Sequence, residues 1–213
     1  MFTGKYACSV PTFHGNSLWA LNPDMTRAPG FETPRTTGMP LYTGYQDNIV
    51  QVAPAPCVSY LGGASPHIIV PSYDGWVRCY SSIGAEEWKV QFDATGSPFV
   101  GAGEAASGDL DNDGVPEIVF TTYSIENDRS SLVILNSRGQ LLHRTKISGR
   151  GSMAAPTLAD VNGDGIVEII LSLKDALENG KGGVQIWDVA SAKTNVLDWP
   201  TGRGNYLRTG AHL

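Results

Sequence analysis

The sequence predicts an all-β protein, a β-propeller built of four-stranded antiparallel blades, with about three full blades and a partial one at the N-terminus. Three observations carry this. The chain is rich in turn formers, with 25 Gly and 13 Pro in 213 residues, which favours many short strands over long helices. Strand-like segments recur at a fixed period: Pro66-His-Ile-Ile-Val70, Pro116-Glu-Ile-Val-Phe120 and Val167-Glu-Ile-Ile-Leu171 have their second residues at 67, 117 and 168, a spacing of 50 to 51. In the last two copies an acidic, glycine-containing loop precedes the segment at the same register. A four-stranded unit repeated every ~40–50 residues is the signature of a propeller blade, because such a sheet has two faces and buries both only by stacking on neighbours.

Taken in chain order, residues 1–49 fit the repeat least well. Ser17-Leu-Trp-Ala-Leu-Asn-Pro-Asp24 matches a third strand and its turn, the preceding strands are compressed into about a dozen residues, and Arg27–Pro40 reads as loop. Residues 50–99 form a unit with strand signals at Pro66–Val70, Gly75–Tyr80 and Glu87–Val90. Residues 100–150 repeat the pattern with Ala106–Leu110, Pro116–Phe120, Ser131–Leu135 and Leu141–Lys146. Residues 151–213 supply Thr157–Val161, Val167–Leu171 and Gly183–Asp188, with Val196-Leu-Asp-Trp199 expected as the fourth strand, followed by a tail. Three units and a fraction sit at or below the ~4–8 blades that close a propeller. The chain is therefore expected to be a fragment of a longer protein or to complete its ring through another copy, since an open arc exposes strand edges and blade faces.

The net charge of −6 argues against nucleic acid as a partner. No basic amphipathic segment appears, and the longest apolar runs are far short of the ~20 residues that span a bilayer, so no membrane insertion is expected. The N-terminus, Met1-Phe-Thr-Gly-Lys-Tyr-Ala-Cys8, lacks the apolar core of a signal peptide. Cys8, Cys57 and Cys79 have no metal-ligand spacing and read as buried small apolar residues.

The two acidic loops carry the chemistry. Loop 1 is Asp109-Leu-Asp-Asn-Asp-Gly-Val-Pro-Glu117 and loop 2 is Asp160-Val-Asn-Gly-Asp-Gly-Ile-Val-Glu168. Calcium takes ~6–8 hard oxygen ligands, and alternate positions of a tightly curved loop turn their oxygens inward. Loop 1 would use Asp109, Asp111, Asp113, the Val115 carbonyl and Glu117. Loop 2 would use Asp160, Asn162, Asp164, the Ile166 carbonyl and Glu168, giving about two Ca²⁺ per chain. Glycine at position 6 permits the sharp turn. An EF-hand would need Glu at position 12 and flanking helices, whereas position 12 is Phe120 or Leu171 within β-type sequence. Four carboxylates in nine residues of loop 1, against three in loop 2, repel one another unless a cation intervenes. The aligned positions of the preceding unit, Ser59, Leu61, Gly63 and His67, lack these groups, and His67 reads as a strand-edge residue.

The pattern Asp-x-Asp-x-Asp-Gly-x-x-Glu-Ile-Val, with Ala155-Pro-Thr-Leu-Ala-Asp160 before its second copy, resembles the FG-GAP/VCBS repeats, which build calcium-bearing propellers including the head of integrin α subunits. Tyr73–Tyr80 through Glu87-Trp88 is also similar to a blade of quinoprotein-type propellers, and the tail Trp199–Gly210 to segments flanking such repeats. The resemblance covers about residues 50–213. It implies that the calcium loops join first and second strands on one rim, where the ion is structural, and that ligands are met by loops joining second and third strands. Two such loops, Thr122–Ser130 and Lys174–Lys181, are long and polar, while Ser72–Gly75 is short. Trp76, Trp88 and Trp187 fall in strands and are expected in packing between blades.

No nucleophile, metalloprotease or phosphate-loop motif is present, and His14, His67, His143 and His212 are scattered. The expected function is thus a non-catalytic, calcium-stabilised module for binding, adhesion or scaffolding, at the cell surface or outside the cell, with an unknown protein or carbohydrate ligand. The alternative is the propeller portion of a secreted polysaccharide-degrading or quinoprotein-like enzyme.

Overall fold

The computed structural model describes residues 2–7, 14–38, 54–93, 95–126, 128–174, 182–193 and 197–209. These form fourteen strands in four antiparallel sheets and no helix. The first sheet holds β1 (Phe2–Ala7), β2 (His14–Trp19) and β3 (Arg35–Thr36). The second holds β4 (Cys57–Ser59), β5 (His67–Pro71), β6 (Trp76–Ser81) and β7 (Glu86–Gln91). The third holds β8 (Val100–Gly108), β9 (Glu117–Ser124), β10 (Ser131–Leu135) and β11 (Leu141–Lys146). The fourth holds β12 (Thr157–Ala159), β13 (Ile166–Leu173) and β14 (Gly183–Lys193). Strand order is sequential in every sheet, so each is a meander closed by short turns.

Alternation along the strands divides each sheet into two faces, and three apolar layers lie between consecutive sheets. Leu18 and Phe31 of the first unit meet Ile68, Val70 and Tyr80 of the second. From the opposite face of the second sheet, Cys57, Ile69, Val77 and Cys79 meet Ala102, Ala105, Ile118, Phe120, Val133 and Leu135 of the third. The other face of the third sheet, with Val119, Leu132 and Ile134, meets Leu158, Val167, Ile169 and Leu171 of the fourth. Adjacent residues Ile118, Val119 and Phe120 are fully buried although their side chains leave opposite faces. Burial on both faces of successive sheets distinguishes stacked blades from a two-layer sandwich, whose outer faces meet water.

The layer between the second and third sheets is the most aromatic. Phe92 and Phe120 meet edge-to-face with centroids 5.7 Å apart, an arrangement that adds ~0.5–1.5 kcal/mol beyond area burial. The Trp88 indole donates to the Ser137 carbonyl of the next unit at 3.0 Å, and Gly139 lies so close that a Cβ there would stand 2.7 Å from the ring. Trp88 and Trp187 thus pack between sheets as expected. Trp76 does not join these layers; it lies beneath Lys89 Nζ, 4.6 Å from the ring centroid. Cys57 and Cys79 are buried free thiols flanking Ile69, and burial pushes Cys79 up to about 12 and Cys57 well above the ordinary thiol range. Cys8 lies outside the described residues.

Two local expectations are corrected. The stretch read as loop over Arg27–Pro40 contains β3, because Arg35 and Thr36 pair with Leu18 and Ser17. The expected fourth strand at Val196–Trp199 does not extend the last sheet within its described part, residues 197–199. Instead Trp199 forms an antiparallel bridge with Ser107 of β8, its N–H and carbonyl both bonded at 2.8 Å. The next residue's carbonyl accepts from Leu158 N–H at 2.7 Å, and Tyr206 Oη donates to the Leu158 carbonyl. The tail therefore runs along the first-strand edges of the third and fourth sheets, satisfying backbone groups that those edges leave open. Among the described residues, no helix is long and apolar enough to cross a membrane.

Candidate metal centre

Each acidic loop joins the first strand of a sheet to its second. Loop 1 links β8 to β9 and loop 2 links β12 to β13. The two close by the same hydrogen bonds. The position-2 N–H donates to the position-9 carboxylate at 2.8 Å in both, Leu110 to Glu117 and Val161 to Glu168. The position-6 N–H donates to the position-1 carboxylate, Gly114 to Asp109 at 2.9 Å and Gly165 to Asp160 at 2.8 Å. The position-7 N–H donates to position 5, Val115 to Asp113 at 2.7 Å and Ile166 to Asp164 at 2.8 Å. Gly114 and Gly165 take φ of 88° and 85°, the left-handed region that the pattern required at position 6.

These bonds gather the acidic oxygens. Asp109, Asp111 and Asp113 bring ligand atoms within 4.8 Å of one another, as do Asp160, Asp164 and Glu168. Asp109, Glu117 and Glu168 are buried, while Asp111, Asp113 and Asp164 reach solvent. Burial chiefly, with the charges of Asp111, Asp113 and Asp109 added, pushes Glu117 up to about 7 against the lowering effect of the Leu110 N–H. Asp160 is held below the ordinary carboxylate range, chiefly by the Gly165 N–H. In loop 2 the Asn162 amide Nδ2 donates to Asp164 at 3.1 Å and to Glu168 at 3.1 Å, tying together two carboxylates that would otherwise repel. For Asn162 to act as a ligand, its carbonyl oxygen must turn to face them.

The donor set fits a hard divalent cation. Every candidate side-chain donor is an oxygen, carboxylates predominate, and no imidazole or thiolate belongs to either cluster. A cation also removes the like-charge repulsion that raises Glu117.

Residues 109–171 match the family profile of the FG-GAP-like repeat. This segment is an FG-GAP-like repeat. The match begins at position 1 of loop 1 and ends just past loop 2, so it spans both acidic loops of the FG-GAP-like segment. Among solved structures, the crystal structure of the V. cholerae biofilm matrix protein Bap1 is similar over 64% of this chain and 22% of that chain, at 21% identity and a TM-score of 0.44. This chain thus spans about a fifth of the length of that structure. No curated protein matches the sequence.

The unit before the FG-GAP-like segment shows what replaces an acidic loop. Position 9 is His67, at the start of β5, whose Nε2 lies 3.0 Å from the Glu87 carboxylate. The position-2 N–H, on Tyr60, is nevertheless taken by a carboxylate: that of Asp198 in the tail, at 2.6 Å. Asp198 also accepts from Ser59 Oγ, the position-1 side chain, at 2.6 Å. A residue 138 positions away thus fills the place that Glu117 and Glu168 fill within their own loops. Sequence reasoning missed Asp198, because no local pattern links it to Tyr60.

The loop expected at Thr122–Ser130 is shorter than the sequence suggested, since Thr122, Tyr123 and Ser124 belong to β9. Its counterpart at Lys174–Lys181 lies outside the described residues beyond Lys174.

Proposed function

We propose that the chain is a calcium-stabilised, non-catalytic β-propeller module for binding, adhesion or scaffolding outside the cell, taking up about two Ca²⁺. The observation that carries the reading is the common closure of the two loops, which converges carboxylates at the same place in two successive units. Asp109, Asp111, Asp113, the Val115 carbonyl and Glu117 would hold one ion. Asp160, Asn162, Asp164, the Ile166 carbonyl and Glu168 would hold the other. The ions would clip first strands to second strands and leave the opposite rim for a protein or carbohydrate ligand. A non-catalytic role is supported by how the acidic groups are used: the loop carboxylates close their own loops, and Asp198 ties the tail to β4. An extracellular setting follows from the metal, because modules of that kind bind calcium at ~10⁻⁴–10⁻³ M, a level found outside cells.

Calorimetric titration with CaCl₂ tests the proposal. The expected result is two bound ions per chain and a lower melting temperature in chelator. No calcium uptake at millimolar metal would overturn it.

A further inference from the structure

A cavity of about 280 Å³ lies between the second and third sheets. It opens beside Thr122 in β9, five residues beyond Glu117, so it stands ~17 Å along the strand from calcium loop 1, toward the opposite rim. Phe92 and Val100 give it an apolar floor. Its charged lining is Asp93, Arg129 and Arg144.

One of these groups is fully hydrogen-bonded and another is ion-paired. Asp93 accepts from Thr95 N–H at 3.0 Å, Thr95 Oγ1 at 2.7 Å and Ser97 N–H at 3.2 Å, which occupy both its oxygens. Arg129 pairs through Nε with Glu126 Oε2 at 2.8 Å. Arg144 differs from Arg129: its Nη2 donates to the Phe92 carbonyl, and among the described residues no carboxylate pairs with its guanidinium. Arginine presents donors in a planar fork that matches a carboxylate two bonds at a time. The volume lies just below the ~300–1,000 Å³ of pockets for drug-sized ligands and suits a single sugar ring.

We propose that this cavity binds one carboxylated sugar unit of an acidic polysaccharide, with its carboxylate on Arg144, its ring over Phe92 and Val100, and its hydroxyls toward Thr95 and Thr122. The proposal names the ligand class for the binding role above and rests on that reading.

The test is calorimetric titration of the calcium-loaded chain with diuronates of the galacto, manno and gluco series. Each is compared with its uncharged disaccharide, with a blank into the same calcium buffer to remove direct metal–sugar binding. One or more diuronates should bind at one site per chain, with the uncharged partner about tenfold weaker or worse. Arg144→Gln should erase that preference while leaving melting temperature and calcium stoichiometry unchanged. Should Arg144→Gln alter melting, Arg144→Lys decides: it keeps the charge but loses the planar fork, and should weaken diuronate binding without altering calcium uptake. The proposal is overturned by no binding of any diuronate, by equal affinity for charged and uncharged sugars, or by unchanged binding in whichever variant decides. Calcium uptake without diuronate binding refutes this assignment alone, and diuronate binding without calcium uptake refutes the calcium reading alone.

Discussion

Glu117 offers the sharpest test of loop 1, because a buried glutamate beside three aspartates must ionise before it can ligate calcium. Its carboxyl, pushed from 4.5 up to about 7, is half protonated near neutral pH in the metal-free protein. The sign follows. The folded pKa lies above the unfolded one, so this group's contribution to stability is fully present below pH 4.5 and is lost as pH rises through about 7. Calcium reverses that loss by favouring the ionised form. For a group that must lose its proton, apparent affinity falls by the factor 1 + 10^(pKa − pH). That factor is about 1.1 at pH 8 and about 11 at pH 6, so loop 1 should bind roughly tenfold more weakly at the lower pH. Binding at pH 7 should release about half a proton from this site. The assay is calorimetry on an Asp160→Ala background, which removes loop 2, in buffers of different ionisation enthalpy so that released protons are counted. Glu117→Gln is the reference: it should weaken binding at every pH and remove this part of the pH dependence. Equal affinity at pH 8 and pH 6 with no proton release would refute the assignment of Glu117 as a ligand.

Other outcomes follow from the same contacts. Asp111→Ala should remove one calcium site and leave the other intact, read as stoichiometry falling from two to one. Loop 1, with four carboxylates against three, should hold the tighter site, visible as the higher-affinity phase of the wild-type titration and its absence in Asp111→Ala. Phe120→Ala deletes a fully buried ring and its partner contact with Phe92, and should cost ~3–5 kcal/mol in urea unfolding. Asp198→Ala strips a charged acceptor from both Ser59 Oγ and Tyr60 N–H, worth ~1.5–3 kcal/mol for each such bond at most, and should speed amide exchange at Tyr60.

The repeat and the two loops were legible because their determinants are local. Carboxylates, glycine and β-branched residues at fixed offsets impose a turn, a ligand set and a strand within nine to twelve positions. The four sheets and the packing of Trp88 and Trp187 followed from that period. The tail was not legible. Leu197-Asp-Trp199 has the composition of a strand, and nothing within it reveals that its partners are Ser107 and Ser59 rather than Lys193 and its neighbours. Trp76 misled for a similar reason: a tryptophan in a strand packs on whichever face the register supplies, and here that face offered Lys89. The Arg144 cavity was equally hidden, since it is assembled from the end of one unit and the body of the next.

The route of the tail bears on how the molecule is made. Each sheet leans on the one before it, so units can condense one after another as they leave the ribosome. Contacts of this nearest-neighbour kind span little sequence and form quickly. The bonds from Asp198 to Ser59 and Tyr60 span separations of 139 and 138 residues and can form only once residue 198 has been made. Until then Tyr60 N–H, unlike its counterparts Leu110 and Val161, has no glutamate in its own loop to accept it. The second unit is thus completed only after the fourth has emerged, and a chain cut short before residue 198 would lack those bonds.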